Sequence, residues 1–490
     1  MKFLKSIALA LLVLLCFSCE NEVLEIDDSS INSNSDILGK SSKPKGNSNG
    51  SFLVISQTNK LPKNLKTDLA AANGKITSSL SEIGIAVVKS SDADFIAKSS
   101  KIKGVQSVVP NLTINWLDPN ERKEAIDANF GNPPASGDDD FFFDLQWGHD
   151  AVDAPEAWEA GYRGAGVRVA VLDSGFDLTH PDLEPNINFE LSKDFTGEGL
   201  QYLIDDSFSH GTHTAGTIGA ADNAYGTIGV APEAELVLVK VLSDAGSGSL
   251  GAILGGIYHA AMNDVDVINM SIGTTLSRRG GVYDSEGNLL GYATAEDIAE
   301  YINVYNRAIT FAYQNGTTVI TSAGNAATDY DHSADLIHMP SGARHALSIS
   351  ATAPRGWGAN PSNNLDELAS YSNYGQSVID FAAPGGDFLY AFEPGGFDVC
   401  TVGPLENVCF IFDYVFSTGS NGNWYWSVGT SMASPHAAGV AAIIIGKNGG
   451  DMKPAQVEAA LKASSDDLGK PGKDDFYGSG RVNAYNAVSD

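Results

Sequence analysis

From about residue 141 onward, short apolar runs alternate with helical patterns, and that alternation leaves few ways for the chain to fold. Strands are expected at 167–172, 236–242, 267–270, 318–321 and 346–350. Helices are expected at 212–220, 250–263, 295–314, 431–445 and 454–463. Runs of Val, Ile, Leu and Ala without polar alternation describe strands buried on both faces. Helices between such strands return the chain in the same direction. The reading for 141–490 is therefore α/β: a three-layer αβα domain with a central parallel sheet. Segments 274–294 and 385–427 break the rhythm and read as loop insertions.

The residues before that domain divide into four parts. Residues 52–116 pattern as strand, helix, strand, strand, helix, strand, which is a small ferredoxin-like α+β unit. Residues 117–140 are polar, contain Asn-Pro-Pro and end in Asp138-Asp139-Asp140, and read as a linker. Residues 20–51, rich in Ser, Asn and acids, read as a flexible tether. In residues 1–19, Lys2 and Lys5 precede an apolar run that ends in Ser18-Cys19. That is an export signal too short to span a bilayer. A Cys after a small residue at its end resembles a bacterial lipoprotein signal, which would leave Cys19 as a lipidated N-terminus anchored to a membrane. An ordinary cleaved signal is the alternative. Either way the protein is expected to be exported, to the bacterial cell envelope or the medium.

The net charge of −30 is unevenly placed. Residues 52–116 hold eight Lys against four acids, whereas 140–490 carry about −29. So acidic a surface argues against a nucleic-acid partner. Beyond the signal there are only Cys400 and Cys409. In an exported protein such a close pair reads as a disulfide closing a surface loop, with two free thiols as the alternative.

Three segments each supply one part of an acyl-transfer site. Asp173 follows a buried strand and precedes Ser174-Gly175. A carboxylate at a strand's C-terminal end can accept from an imidazole Nδ1–H. His210, in His210-Gly-Thr-His213, lies just before a helix and can act as a general base. A zinc site is not indicated, because the required Glu beside the first His and the four-residue His spacing are both missing. Ser431, in Gly429-Thr-Ser431-Met-Ala-Ser-Pro435, sits at a helix start, where unpaired N–H groups favour developing negative charge. A fourth segment, Ser322-Ala-Gly-Asn325, offers a side-chain amide to an oxyanion. Alone, each has a plainer reading: a turn Asp, a structural His, a Ser helix cap. Together and in this order they resemble the subtilisin-like serine proteases, over about 141–490 and including Tyr477-Gly-Ser-Gly-Arg-Val482.

The resemblance implies a secreted serine endopeptidase with Asp173, His210 and Ser431 as triad and Asn325 as oxyanion donor. It implies that 52–116 is a propeptide, both folding chaperone and inhibitor, cut from the enzyme by Ser431 somewhere in 117–140. The basic propeptide and acidic enzyme would attract each other. The resemblance also implies a cleft in which Ser247-Gly248 and Ser271-Ile272-Gly273 pair with extended protein or peptide substrates. Leu250 walls a more distant subsite. The base of the primary specificity pocket falls between Asn325 and Met339, with no residue assigned. A structural calcium is implied, held by Asp182, the Asn223 side chain and the carbonyls of Ala221, Tyr225 and Thr227, with Asp139 as an additional ligand. No cofactor is needed for the chemistry, and the enzyme is expected to be monomeric. The rival is a catalytically silent surface lipoprotein that binds polypeptides.

Overall fold

The computed structural model describes residues 50–117, 122–125 and 138–489. The export signal, Cys19 and most of the tether and linker lie outside the described residues.

The first described unit has an antiparallel sheet in the order Lys75–Leu80, Ile85–Lys89, Ser51–Ser56, Val105–Pro110. Helices Leu65–Ala71 and Phe95–Ser99 cover one face. Phe52, Val54, Leu69, Val88, Phe95 and Val108 form a separate core beneath them. Both helices and the strand Ile85–Lys89 are shorter than the apolar pattern suggests, whereas the other three strands are slightly longer. Residues 62–64 form a turn that hands Leu65 N–H to the Pro62 carbonyl at 3.0 Å, so the helix starts late. Ile83 lies in a tight turn closed by Gly84, whose φ of 67° favours glycine.

The larger unit is a three-layer α/β domain. Its main sheet runs Glu367–Leu368, Ala346–Ala353, Thr318–Ser322, Val267–Met270, Arg168–Asp173, Glu235–Lys240, Lys193–Asp194, and Phe381–Pro384 also pairs with Ala346–Ala353. All these pairings are parallel except that of the edge strand Glu367–Leu368. Helices His210–Gly219 and Thr430–Lys447 pack together on one face, and Leu250–Met262 with Ala295–Gln314 on the other. Ile218, Leu238, Val267, Ile320, Val440 and Ile443 are fully buried between layers. Burying such side chains is worth about 1.5–3 kcal/mol each.

The insertions are folded. The first contributes Thr274–Ser277, Gly281–Tyr283 and Leu289–Tyr292 to a small antiparallel sheet with Leu336–Met339. The second forms hairpins Val399–Val402/Leu405–Val408 and Val415–Thr418/Trp424–Ser427. The Cys400 and Cys409 Cα atoms are 4.9 Å apart, with the sulfurs in bonding geometry. Among the described residues no helix is long and apolar enough to cross a membrane.

The two units meet along the helices Leu250–Met262 and Ala295–Gln314. Arg307 donates to the Ser56 carbonyl at 3.0 Å and to Gln106 Oε1 at 3.1 Å. Gly251 N–H donates to Asn111 Oδ1 at 2.8 Å. Among the described residues no salt bridge joins the units. The charge contrast read from the sequence acts at long range, while hydrogen bonds, those from Arg307 and that from Gln106 to Glu300 being charge-assisted, set the register.

Candidate active site

Strand Arg168–Asp173 delivers Asp173, fully buried, to the C-terminal edge of the sheet. Its Oδ1 accepts from the Ser174 backbone N–H at 2.7 Å and from His210 Nδ1–H at 2.8 Å. Its Oδ2 accepts from the Thr214 hydroxyl at 3.2 Å. The carboxylate is thus anchored on both oxygens, and it fixes the imidazole tautomer that leaves Nε2 as the basic nitrogen.

His210 is the first residue of helix His210–Gly219, capped by Ser209, whose hydroxyl oxygen accepts the Thr212 N–H at 3.1 Å. The helix start must come close to the strand end. A Cβ on Gly211 would lie 2.9 Å from the Gly175 carbonyl oxygen, so glycine is required there. His213, one turn on, is buried and faces the Val415 carbonyl at 3.2 Å. Burial pushes it down to about 3, which makes it a neutral structural group.

Ser431 is the second residue of helix Thr430–Lys447. Its hydroxyl donates to the Ser271 carbonyl at 3.1 Å. Pro435, four residues later, has no N–H to give the Ser431 carbonyl. That carbonyl instead accepts from the Ser271 hydroxyl at 2.7 Å, whose oxygen also meets Ser434 Oγ at 2.9 Å and Asn269 Nδ2 at 3.0 Å. A proline that would weaken an ordinary helix here ties the Ser431 turn to strand Val267–Met270.

Asn325 is held by its oxygen. Oδ1 accepts from the Thr430 N–H at 2.9 Å and the Thr430 hydroxyl at 2.7 Å, and Nδ2 donates to Glu286 Oε1 at 3.0 Å. His210, Ser431, Asn325, Ser271, Ile272 and Gly273 all line one cavity of about 300 Å³. Sequence reasoning did not find Ser285, Glu286, His338, Tyr371 or Phe388, which line it too. The inserted hairpin brings Glu286, and His338 occupies the unassigned stretch between Asn325 and Met339.

The cleft already holds chain. Thr113–Asn115 pairs antiparallel with Ser247–Ser249, matching Asn115 with Ser247 and Ile114 with Gly248. Trp116 N–H donates to the Gly246 carbonyl at 2.9 Å, and Leu250 N–H to the Leu112 carbonyl at 2.7 Å. Trp116, Leu117 and Arg122 line the same cavity as Ser431. On the far side, Lys123–Ala125 adds a strand to Trp424–Ser427. Ser247 and Gly248 therefore pair with extended chain, while Ser271, Ile272 and Gly273 form a wall.

The expected metal ligands lie close to one another in the fold. Asp182 is fully buried; its Oδ2 accepts from Thr227 N–H at 2.8 Å and Trp424 Nε1–H at 2.9 Å. Asp182 Oδ1 is buried without a hydrogen-bond partner. Asp140 Oδ1 accepts the backbone N–H groups of Asn223 and Tyr225 at 3.4 and 3.0 Å. Ala221 donates its N–H to the Asp182 carbonyl at 2.6 Å. Beside this loop, carboxylate oxygens of Asp138, Asp139, Asp140 and Asp222 lie within 4.8 Å of one another. Burial and the Asp138 carboxyl push Asp140 up to about 9. An orphaned buried carboxylate oxygen and converging acids suit a hard divalent cation.

Comparison with known proteins agrees with this geometry. Residues 164–480 match the model of a family described as the subtilase family. Subtilisin Savinase of Lederbergia lenta is 34% identical over 345 residues, covering 70% of this chain and 98% of that protein. The minor extracellular protease Epr of Bacillus subtilis is 28% identical over 69% of this chain, a match that spans 41% of the relative's length. Among solved structures, the epidermin leader peptide processing serine protease of Staphylococcus aureus has a TM-score of 0.69 at 20% identity, covering 90% of this chain and 97% of that one.

Proposed function

The chain belongs to the subtilase family and is a serine-type endopeptidase, and from that premise we propose how it works and how it is made. Ser431 is the nucleophile and His210 the general base. Asp173 orients His210, and Asn325 with the Ser431 N–H receives the oxyanion. The observation that carries this reading is the 2.8 Å bond from His210 Nδ1 to Asp173 Oδ1, in a cavity shared with Ser431 and Asn325.

In the reaction, His210 Nε2 takes the Ser431 proton as Oγ attacks the scissile carbonyl. The tetrahedral oxyanion collapses and the amine leaves with the proton from His210. Water then repeats the sequence on the acyl-enzyme. The Ser431 hydroxyl must first turn from the Ser271 carbonyl toward His210. A calcium ion near Asp182, Asn223, Asp140 and Asp222 stabilises the fold and takes no part in the chemistry.

The protein is made as an exported precursor. Residues 52–116 form the inhibitory propeptide, and Ser431 cuts the linker between Leu117 and Arg122. Both ends of that short stretch line the catalytic cavity, and the chain before and after it is strand-paired to the enzyme. This is β-augmentation, which reads main chain more than side chain. Cys19 carries the lipid anchor, and the Cys400–Cys409 bridge closes the inserted loop. A fluorophosphonate probe should label Ser431, and a denatured protein should be cleaved. Labelling without any cleavage would favour the silent polypeptide-binding alternative.

A further inference from the structure

The turn of the inserted hairpin carries a carboxylate into the catalytic cavity. The turn joins Gly281–Tyr283 to Leu289–Tyr292 and is braced by Asp284, which accepts the N–H groups of Glu286 at 3.1 Å and Asn288 at 2.7 Å. It is fastened to Asn325 twice. Asn325 N–H donates to the Ser285 carbonyl at 3.0 Å, and Asn325 Nδ2 donates to Glu286 Oε1 at 3.0 Å. Among the described residues lining the cavity, Glu286 is the one carboxylate.

The slot beside it has a floor. The His338 ring packs against both walls: a Cβ on Gly273 would lie 2.2 Å from the ring, and one on Gly324 2.7 Å. His338 Nδ1 meets Ser341 Oγ at 2.8 Å. The imidazole closes the deep end, so a long side chain in this slot has to reach sideways.

The geometry points to Glu286 as a specificity-determining residue that selects substrates with Lys or Arg immediately before the scissile bond. This rests on the protease reading above. A scissile carbonyl at Ser431 directs its oxygen toward Asn325. With the preceding chain along Ser247–Gly248, the adjoining side chain enters between Ser271–Gly273 and Ser322–Asn325. An aliphatic stem packs there while its cationic head reaches the Glu286 rim. A carboxylate has about four lone-pair sites and can accept from several donors at once. The acidic domain, about −29 over 140–490, also draws cationic peptides toward the cleft.

The test uses the processed enzyme and peptides that differ only in the residue before the cleaved bond: Lys, Arg, Gln, Leu or Glu. At low salt kcat/KM for Lys and Arg should exceed that for Gln by roughly tenfold, and the gap should narrow as salt is added. Glu286→Gln should bring the Lys-to-Gln ratio close to one. Glu286→Lys should put the Glu peptide ahead of the Lys peptide. Equal rates for Lys and Gln in the native enzyme would overturn the proposal. So would a ratio that survives Glu286→Gln, or a uniform loss on all peptides, which would make Glu286 a positioning residue for Asn325. Failure of the protease reading looks different: no peptide of the set is cut, and the proposal falls with it.

Discussion

Trp116 donates its indole N–H to the carbonyl of Gly248 at 2.8 Å, and its ring is almost fully buried. This contact pins the end of the small N-terminal unit into the cleft of the large one. Trp116→Ala should weaken inhibition by an added 50–117 domain by about 30-fold or more, since buried aromatic anchors are worth about 2 kcal/mol or more at interfaces. An inhibition constant that moves less than threefold would remove Trp116 as the anchor.

Asp173 and Asn325 separate two contributions to catalysis. Asp173→Asn should lower kcat by about 10⁴, because the amide no longer enforces the imidazole tautomer. Asn325→Ala should lower kcat by about 10²–10³ with KM little changed, since the oxyanion exists only along the reaction path. Steady-state kinetics on one peptide decides both, and a loss in KM alone for Asn325→Ala would contradict the assignment.

Several histidines are buried and neutral. Burial lowers His338 and His436 to about 4 and His213 to about 3, against about 6.5 in the unfolded chain. A depressed folded value means the unfolded state binds more protons below pH ~6.5. Each such group therefore removes stability as pH falls from about 6.5 toward 4, by about 2–3 kcal/mol each at pH ~4.5. Asp150 and Asp413, raised by burial to about 6 and about 7, act in the opposite direction. The check is the slope of melting temperature with pH in a Ser431→Ala background. His436→Gln should flatten that slope between pH ~6.5 and 4.5, and an unchanged slope would show that His436 is not held neutral.

Calcium should raise the melting temperature and a chelator should lower it. Saturation at about a hundred times Kd corresponds to about 2.7 kcal/mol. Asp140→Asn combined with Asp222→Asn should abolish the response. Identical melting with calcium and with chelator, with no metal in the purified protein, would refute the site.

The triad segments were legible because each is local: a strand end and two helix starts carry their own signals in a few residues. Val267–Met270 and Ala295–Gln314 follow the apolar pattern to the residue. What escaped depends on distant chain. Phe381–Pro384 lacks a strand pattern and is a strand because Ala346–Ala353 pairs with it. Glu286 and His338 reach the cavity from an inserted hairpin and from the strand packed beside it, and nothing next to them in sequence marks that destination. That Asp140 accepts the Asn223 and Tyr225 N–H groups, and Asp182 that of Thr227, is a set of tertiary contacts with no local mark in the sequence.

Ser431 is proposed to cut its own chain between Leu117 and Arg122, both of which line the catalytic cavity. Intact mass and N-terminal sequencing of wild type and Ser431→Ala, expressed side by side in a protease-deficient host, test it most directly. Wild type should be severed between Leu117 and Arg122, while Ser431→Ala should keep the N-terminal unit covalently joined to the large domain. The same cut in both proteins, or an uncut wild type, would contradict it.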